Sequence, residues 1–241
     1  MNNKNPKSTC IGLKDMWNSF MVEGATFSKE NDIPYCPTLL TSIPVMMITW
    51  DEAKTLYAKE VRKNVDFYIE AFVCFYIDDY KFDGPFSGIW RHPKRTLKIL
   101  NHFRGIVTAD YSTYVDFPDP INRYNTYRMR AFGYWIGKQG AEVVNNVRWG
   151  YPNTYSYSFD GIERHSVVAV GTVGGSPKKL VDRDRFEKGI LAMVEQLQPH
   201  TILVYGSADY PIFDALREKG VTIVSYKSHT ALAYEKRSKH E

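Results

Sequence analysis

The chain has 241 residues, 44% hydrophobic and 24% charged, with a formal net charge of +4 and a pI of about 8.8. That length supports one large domain or two small ones with ample core, and the composition is that of a globular protein rather than a low-complexity chain. The mild basic excess is compatible with a phosphate-bearing ligand without demanding one. Three cysteines (Cys10, Cys36, Cys74) form no CxxC pair, which predicts reduced thiols and an intracellular protein. The first residues, MNNKNPKSTC, hold no apolar core of a signal peptide, and the longest apolar runs, such as Ala71–Ile77, are too short to span a bilayer. The cytoplasm is the expected location, with no membrane partner.

Residues 1–44 read as an irregular arm. They hold one short helix-like piece and a turn-rich stretch with Pro34, Pro37 and Pro44. Trp17, Phe20 and Met21 favour packing of this arm onto the body over disorder. From residue 45 the chain alternates. Strands are expected at 46–49, 66–77, 105–108, 142–147, 166–171, 201–205 and 221–226. Helices are expected at 51–63, at 93–103 with Pro93 as its first residue, at 121–139 with Gly140 as its stop, at 184–198 and at 210–219, followed by a charged helical tail. Continuously apolar, β-branched strands between amphipathic helices predict a single α/β domain over 45–241. Its sheet should be mostly parallel with helices on both faces. A (β/α) barrel-like arrangement is the alternative.

In parallel α/β folds, ligands meet the loops that follow the carboxyl ends of the strands. Those loops here are DDYKFDG from Asp78, ADYSTYVD from Ala109, RWG from Arg148, TVGGSPKK from Thr172, GSADY from Gly206 and KSH from Lys227. All are polar. The acidic members, Asp78, Asp79 and Asp110, could act as general base or hold Mg²⁺ or Mn²⁺, with Asp110 and Asp78 as the metal pair. Asp116 also fits turn duty, and Asp119 fits a helix cap ahead of Pro120. The small residues of GTVGG and of Gly206-Ser207 could cradle an anion, and they also fit tight turns. Arg148 beside Trp149 suits a clamped phosphate and a stacked base; a salt bridge and a core tryptophan are the plain counterparts. Tyr111, Tyr114 and Thr172 complete the expected ligand contacts. The helix arginines Arg123, Arg128 and Arg130 read as a solvated basic face. The six scattered histidines show no zinc spacing.

The runs GIVTADYSTYVDFPDPINRYNTYRMRAFGYWIGKQGAEVVNNVRWG, YSFDGIERHSVVAVGTVGG and PHTILVYGS resemble an uncharacterised family, domain of unknown function 4417. The likeness extends from about Leu13 to the tail. It implies a single-domain protein of a phage or mobile element, and no established activity. Three functions are open at this stage. The first is binding of a nucleotide or nucleic-acid phosphate at the carboxyl edge of the sheet, with metal-assisted hydrolysis if the protein is an enzyme. The second is a non-catalytic binder that sequesters a nucleotide signal or inhibits a host protein, with the arm able to mediate a homo-oligomer. The third is a DNA-binding replication or transfer accessory, although no helix-turn-helix is evident.

Overall fold

The computed structural model describes residues 2–3, 15–63, 66–173 and 180–238. In chain order the strands and helices are β1 (Asn2–Asn3), β2 (Thr26–Phe27), β3 (Met47–Thr49), α1 (Trp50–Val61), β4 (Ile69–Cys74), α2 (Tyr80–Asp83), α3 (Pro93–Leu100), β5 (Phe103–Val107), α4 (Asp119–Lys138), β6 (Glu142–Asn146), α5 (Tyr155–Ser158), β7 (Val167–Gly171), α6 (Leu180–Leu197), β8 (Thr201–Tyr205), α7 (Pro211–Glu218), β9 (Thr222–Tyr226) and α8 (His229–Ser238). β1 and β2 form a small antiparallel pair. The other seven strands make one sheet in the order β3-β4-β5-β6-β7-β8-β9, every neighbouring pair parallel.

The domain is therefore α/β with a parallel sheet, and its strand order selects between the two arrangements expected. Strands that follow one another in space as in sequence, joined by crossovers of one hand, place their helices on one face. The packing shows this. Ile48, Val73, Ile106 and Val143 face Ala53, Leu100, Phe132 and Ile136 of α1, α3 and α4. Val168, Val170, Ile202 and Val204 face Ile190, Met193, Phe213 and Leu216 of α6 and α7. The opposite face packs on itself, from Phe72 and Cys74 through Val107, Val144 and Ala169 to Leu203 and Tyr226. The sheet is the barrel-like alternative, a half-barrel, and its inner face carries no helix among the described residues.

Local sequence explains the element ends. Thr49 closes β3 and caps α1: its hydroxyl accepts the Glu52 amide at 3.3 Å while the Glu52 carboxylate accepts the Thr49 amide at 2.8 Å, a reciprocal capping box. Pro93 opens α3 and Gly140 follows α4 with φ +94°. The strand expected over 66–77 is shorter, because the chain turns out of the sheet after Cys74 and Ile77 donates back to Phe75 at 2.8 Å. Asp119 does not cap α4. It lies within the helix, where its carboxylate accepts Arg123 Nε at 2.6 Å and the Tyr157 hydroxyl at 2.8 Å.

The arm packs on the body and also enters the sheet. Leu39 exchanges both backbone hydrogen bonds with Val143 of β6, at 2.9 and 2.7 Å, on the side where β7 would otherwise pair. Upstream, Cys36 is buried among the helix-face residues and its carbonyl accepts Asn145 Nδ2 at 2.8 Å. Downstream, Leu40 and Ile43 pack on the inner face, and the Tyr226 hydroxyl donates to Pro44 O at 2.6 Å. The arm thus passes from the helix layer to the inner face through a slot between β6 and β7.

The expectation of a solvated arginine face on α4 is overturned. Arg130 is fully buried, and its guanidinium donates to three backbone carbonyls: Asp160 (3.1 Å), Asn146 (3.0 Å) and Ser158 (3.0 Å). Burial lowers its pKa to about 10, opposed by the nearby Cys36 and Asp160. Arg128 pairs with Asp83 at 2.7 Å and lies 3.9 Å over the Tyr111 ring. Arg123 pairs with Asp119 and lies 4.3 Å over Tyr157. The 3.6-residue pattern missed this because the α5 segment folds over the polar side of α4 and makes it interior.

Replacing Arg130 with Met strands those three carbonyls in a dry site. The expected loss is about 3–5 kcal/mol, read as a lower urea midpoint at unchanged m-value. Cys36 and Cys74 are fully buried and unpaired. Burial raises the Cys36 thiol to about 12 and pushes Cys74 further up. In a Cys10→Ser background neither thiol is expected to react with a thiol-specific disulfide reagent at pH 8 until denaturant unfolds the chain; fast reaction of the native protein would contradict the burial described.

Candidate functional site

The carboxyl ends of the strands open into a cleft of about 990 Å³, a volume in the usual range for a small-molecule site. Its floor is a hydrogen-bonded chain of polar side chains at strand ends. Asp110, just after β5, is buried. One of its oxygens accepts Asn146 Nδ2 at 2.8 Å and the other accepts Arg148 Nη1 at 2.7 Å. The Asn146 side-chain oxygen accepts the Tyr76 hydroxyl at 3.0 Å. Tyr76 stacks on Tyr205, with centroids 5.3 Å apart and planes 15° from parallel. The Tyr205 hydroxyl then accepts the His229 amide at the start of α8, at 3.1 Å. Four strands are tied together by this chain: β4 and β5 just beyond their ends, β6 at Asn146 and β8 at Tyr205.

The electrostatics follow from the pairing. Burial raises the Asp110 pKa against the pull of Arg148 and the Asn146 amide, while Asp79 pushes in the same direction as burial. Burial disfavours the Arg148 charge, but Asp110 and Asp79 outweigh it and hold its pKa above the ordinary arginine value. Arg148 is a fixed cation: its side chain remains 34% exposed to the cleft, and neither Nε nor Nη2 donates to another described residue. Trp149 continues the wall. It packs on Phe186 of α6 at 5.6 Å and on Phe159 at 6.2 Å. A Cβ at Gly189 would overlap the indole at 1.8 Å, so glycine there makes the room in which the ring sits.

The candidate residues divide accordingly. Asp110, Arg148, Trp149, Tyr114, Asp78 and Asp79 all line the cleft. Asp79 is committed to holding its neighbour loop: its two oxygens accept the Ser112 amide (3.0 Å) and hydroxyl (2.7 Å). Asp78 sits on the exposed rim, 3.3 Å from Lys81. Tyr111 does not reach the cleft. Its ring is buried between the Arg128 guanidinium and Phe82, because alternate side chains of the extended segment after β5 turn to opposite sides and Asp110 takes the cleft side. Thr172, Gly206 and Ser207 are also absent from the lining. The Thr172 hydroxyl donates to Ser207 O at 2.8 Å, Gly206 turns with φ +117°, and Ser207 exchanges hydrogen bonds with Asp209 at 3.0 and 3.1 Å. These three build a turn rather than a phosphate cradle. Asp116 is exposed at a turn tip. Gly174, Gly175, Lys178 and Lys179 lie outside the described residues.

Sequence reasoning missed Tyr76, Asn146 and the Asp51–Glu52 pair, all of which line the cleft. A signal was present for Asn146. Two asparagines inside EVVNNV interrupt an otherwise apolar strand, and a buried amide must find partners. Asp51 and Glu52 follow β3, the one strand whose trailing residues were read only as a helix start. Among the described residues, no group of three or more His, Cys, Asp or Glu side chains is placed to hold a metal ion. No described helix is long and apolar enough to cross a membrane.

Comparison with known proteins places the chain in a phage-associated group. It is 30% identical over 160 residues to the Gene 1 protein of Mycobacterium phage L5, covering 61% of this chain and 68% of that protein. It is 32% identical over 136 residues to the Gene 1 protein of Mycobacterium phage D29, covering 56% of this chain and 48%, about half, of that protein. No solved structure matches. The family described as Domain of unknown function (DUF4417) matches residues 27–227, which include every strand of the parallel sheet and the whole Tyr76–Asn146–Asp110–Arg148 chain, and the protein belongs to that family.

Proposed function

We propose that the cleft binds a small ligand with a phosphate group and a planar ring, a nucleotide, and that it holds this ligand without turning it over. The observation that carries this reading is Arg148: a guanidinium fixed on a buried carboxylate, presenting unpaired N–H groups to an aromatic-walled cleft. A planar fork of this kind matches the oxygens of a phosphate, and its remaining donors gain partners when one binds. Trp149 and Tyr114 supply faces on which a base can rest. Non-catalytic binding is favoured over hydrolysis by the state of the carboxylates. Asp110 spends one oxygen on Asn146 and the other on Arg148, and Asp79 spends both on Ser112. Each carboxylate is thus engaged through both oxygens in holding neighbouring groups, which fits a positioning role better than that of a general base. Asp110 and Asp78, the expected Mg²⁺ or Mn²⁺ ligands, belong to no group of three or more His, Cys, Asp or Glu side chains placed to hold a metal ion among the described residues.

Thermal unfolding against a panel of nucleoside 5′-monophosphates tests the reading. A binding base at 100 times its Kd should stabilise the protein by about 2.7 kcal/mol, roughly 5–10 °C for a chain of this size. Arg148→Ala should abolish the shift, and Arg148→Lys should keep only a remnant of it; a shift untouched by Arg148→Ala would rule the anchor out. Asp110→Asn separates the positioning role from catalysis. If Asp110 holds Arg148, the variant raises Kd about tenfold, and no nucleotide is hydrolysed by either protein. Steady Mg²⁺-dependent hydrolysis by the parent chain, lost in Asp110→Asn at unchanged Kd, would replace this reading with the hydrolytic one.

A further inference from the structure

The nucleotide reading leaves the number of phosphates open, and the charges around the cleft bear on it. Among the described residues three cations line it: Lys81, Arg148 and Arg185. All three are matched, Lys81 by Asp78 at 3.3 Å, Arg148 by Asp110 at 2.7 Å and Arg185 by Asp182 at 2.7 Å. Against them stand six carboxylates, Asp51, Glu52, Asp78, Asp79, Asp110 and Asp182, of which Asp51 is also paired with Lys54 at 2.8 Å. Among the described residues the lining therefore carries a net negative charge, in a chain whose overall charge is +4. Arg148 and Arg185 each pair through one nitrogen, with Asp110 and with Asp182, and Arg148 has the Asp110 carboxylate directly behind it and Asp79 close enough to hold its pKa up.

We infer that the cleft selects a nucleotide with a single phosphate group and rejects the triphosphate of the same base; this inference rests on the proposed function. One phosphate can be met by the Arg148 fork. A second and third would extend along walls that bear Asp51, Glu52, Asp78 and Asp182. A phosphate monoester carries about −1.5 to −2 at neutral pH, and each added phosphate brings further negative charge into a site that already repels it. The arrangement differs from a P-loop or a basic groove, where backbone amides and several lysines neutralise a phosphate chain. It also disfavours a nucleic-acid strand, whose flanking phosphates would meet the same carboxylates. The acids at the mouth do not prevent binding of the correct ligand. They set an upper bound on its charge, which is specificity by repulsion of the alternative.

Calorimetric titration of the full chain, in EDTA at low salt, with a nucleoside 5′-monophosphate and its 5′-triphosphate is the test. The triphosphate is expected to bind at least tenfold more weakly, and the ratio should shrink toward unity as salt shortens the Debye length from roughly 10 Å at 0.1 M to about 3 Å at 1 M. The double variant Asp51→Asn, Asp78→Asn should recover triphosphate affinity severalfold while changing monophosphate affinity less. Equal or tighter triphosphate binding in EDTA, or a ratio indifferent to both salt and the double variant, overturns the inference while leaving the nucleotide reading intact. Loss of all Arg148-dependent nucleotide binding overturns the nucleotide reading itself and this inference with it.

Discussion

A guanidinium sealed in the interior, with no ion pair among the described residues, is the constraint around which this fold is arranged. Arg130 projects from the middle of α4 and closes on three main-chain carbonyls from two separate segments. An arginine buried this way is tolerable only if its donors are met, and backbone carbonyls meet them in fixed geometry. Its placement therefore fixes the distance between α4, the end of β6 and the Tyr155–Asp160 turn. One of the three carbonyls belongs to Asn146, whose side chain holds Asp110, which in turn holds Arg148. The cleft's exposed cation is thus positioned through a buried one, by way of a strand end.

The two arginines divide the work of charge between them. Arg130 uses its full charge inside the protein and has nothing left to offer a ligand. Arg148 uses one nitrogen inside and leaves the others at the surface of the cleft. Asp110, Asp79 and Glu52 show the same economy from the acidic side: each is a cleft residue by position and a structural residue by its hydrogen bonds. Functional sites in parallel α/β folds sit where the backbone is running out of sheet partners, and here much of the polar side-chain chemistry at that edge goes into closing the loops themselves.

Most of the strand and helix order was legible in the sequence, because apolar β-branched runs alternate with helical periodicity and the punctuation is strong at Pro93 and Gly140. The position of the site was legible from the same alternation, since it depends only on which ends of the strands are carboxyl ends. The direction of individual side chains was not. Asp110 and Tyr111 are adjacent and were read as one feature, yet one lines the cleft and the other lies beneath it. Thr172, Gly206 and Ser207 resembled a phosphate cradle because glycine and hydroxyl residues serve tight turns and anion sites equally well. Arg130 was hidden for a different reason. Helical periodicity reports which face of a helix meets the sheet, and it carries no information about a second layer, the α5 turn, laid over the other face. The single-faced helix layer was also beyond local pattern, because strands buried under an inner-face cluster are as apolar as strands buried under helices.

The arm that slips between β6 and β7 has a consequence for how the protein comes into being. Leu39 pairs with Val143, more than a hundred residues later in the chain, so the first part of the domain to leave the ribosome cannot take its seat until the middle has been made. Until then the slot beside Val143 has an open backbone edge and the inner face lacks Leu40 and Ile43. Closure over such a long loop is slow relative to local helix formation. The arm therefore acts late: it fills the edge at Val143 that lies ahead of the direct pairing of β6 with β7 at Asn145 and Asn146. A protein assembled in this order exposes a strand edge in mid-synthesis, and this edge is hidden by a segment made earlier rather than by one made later.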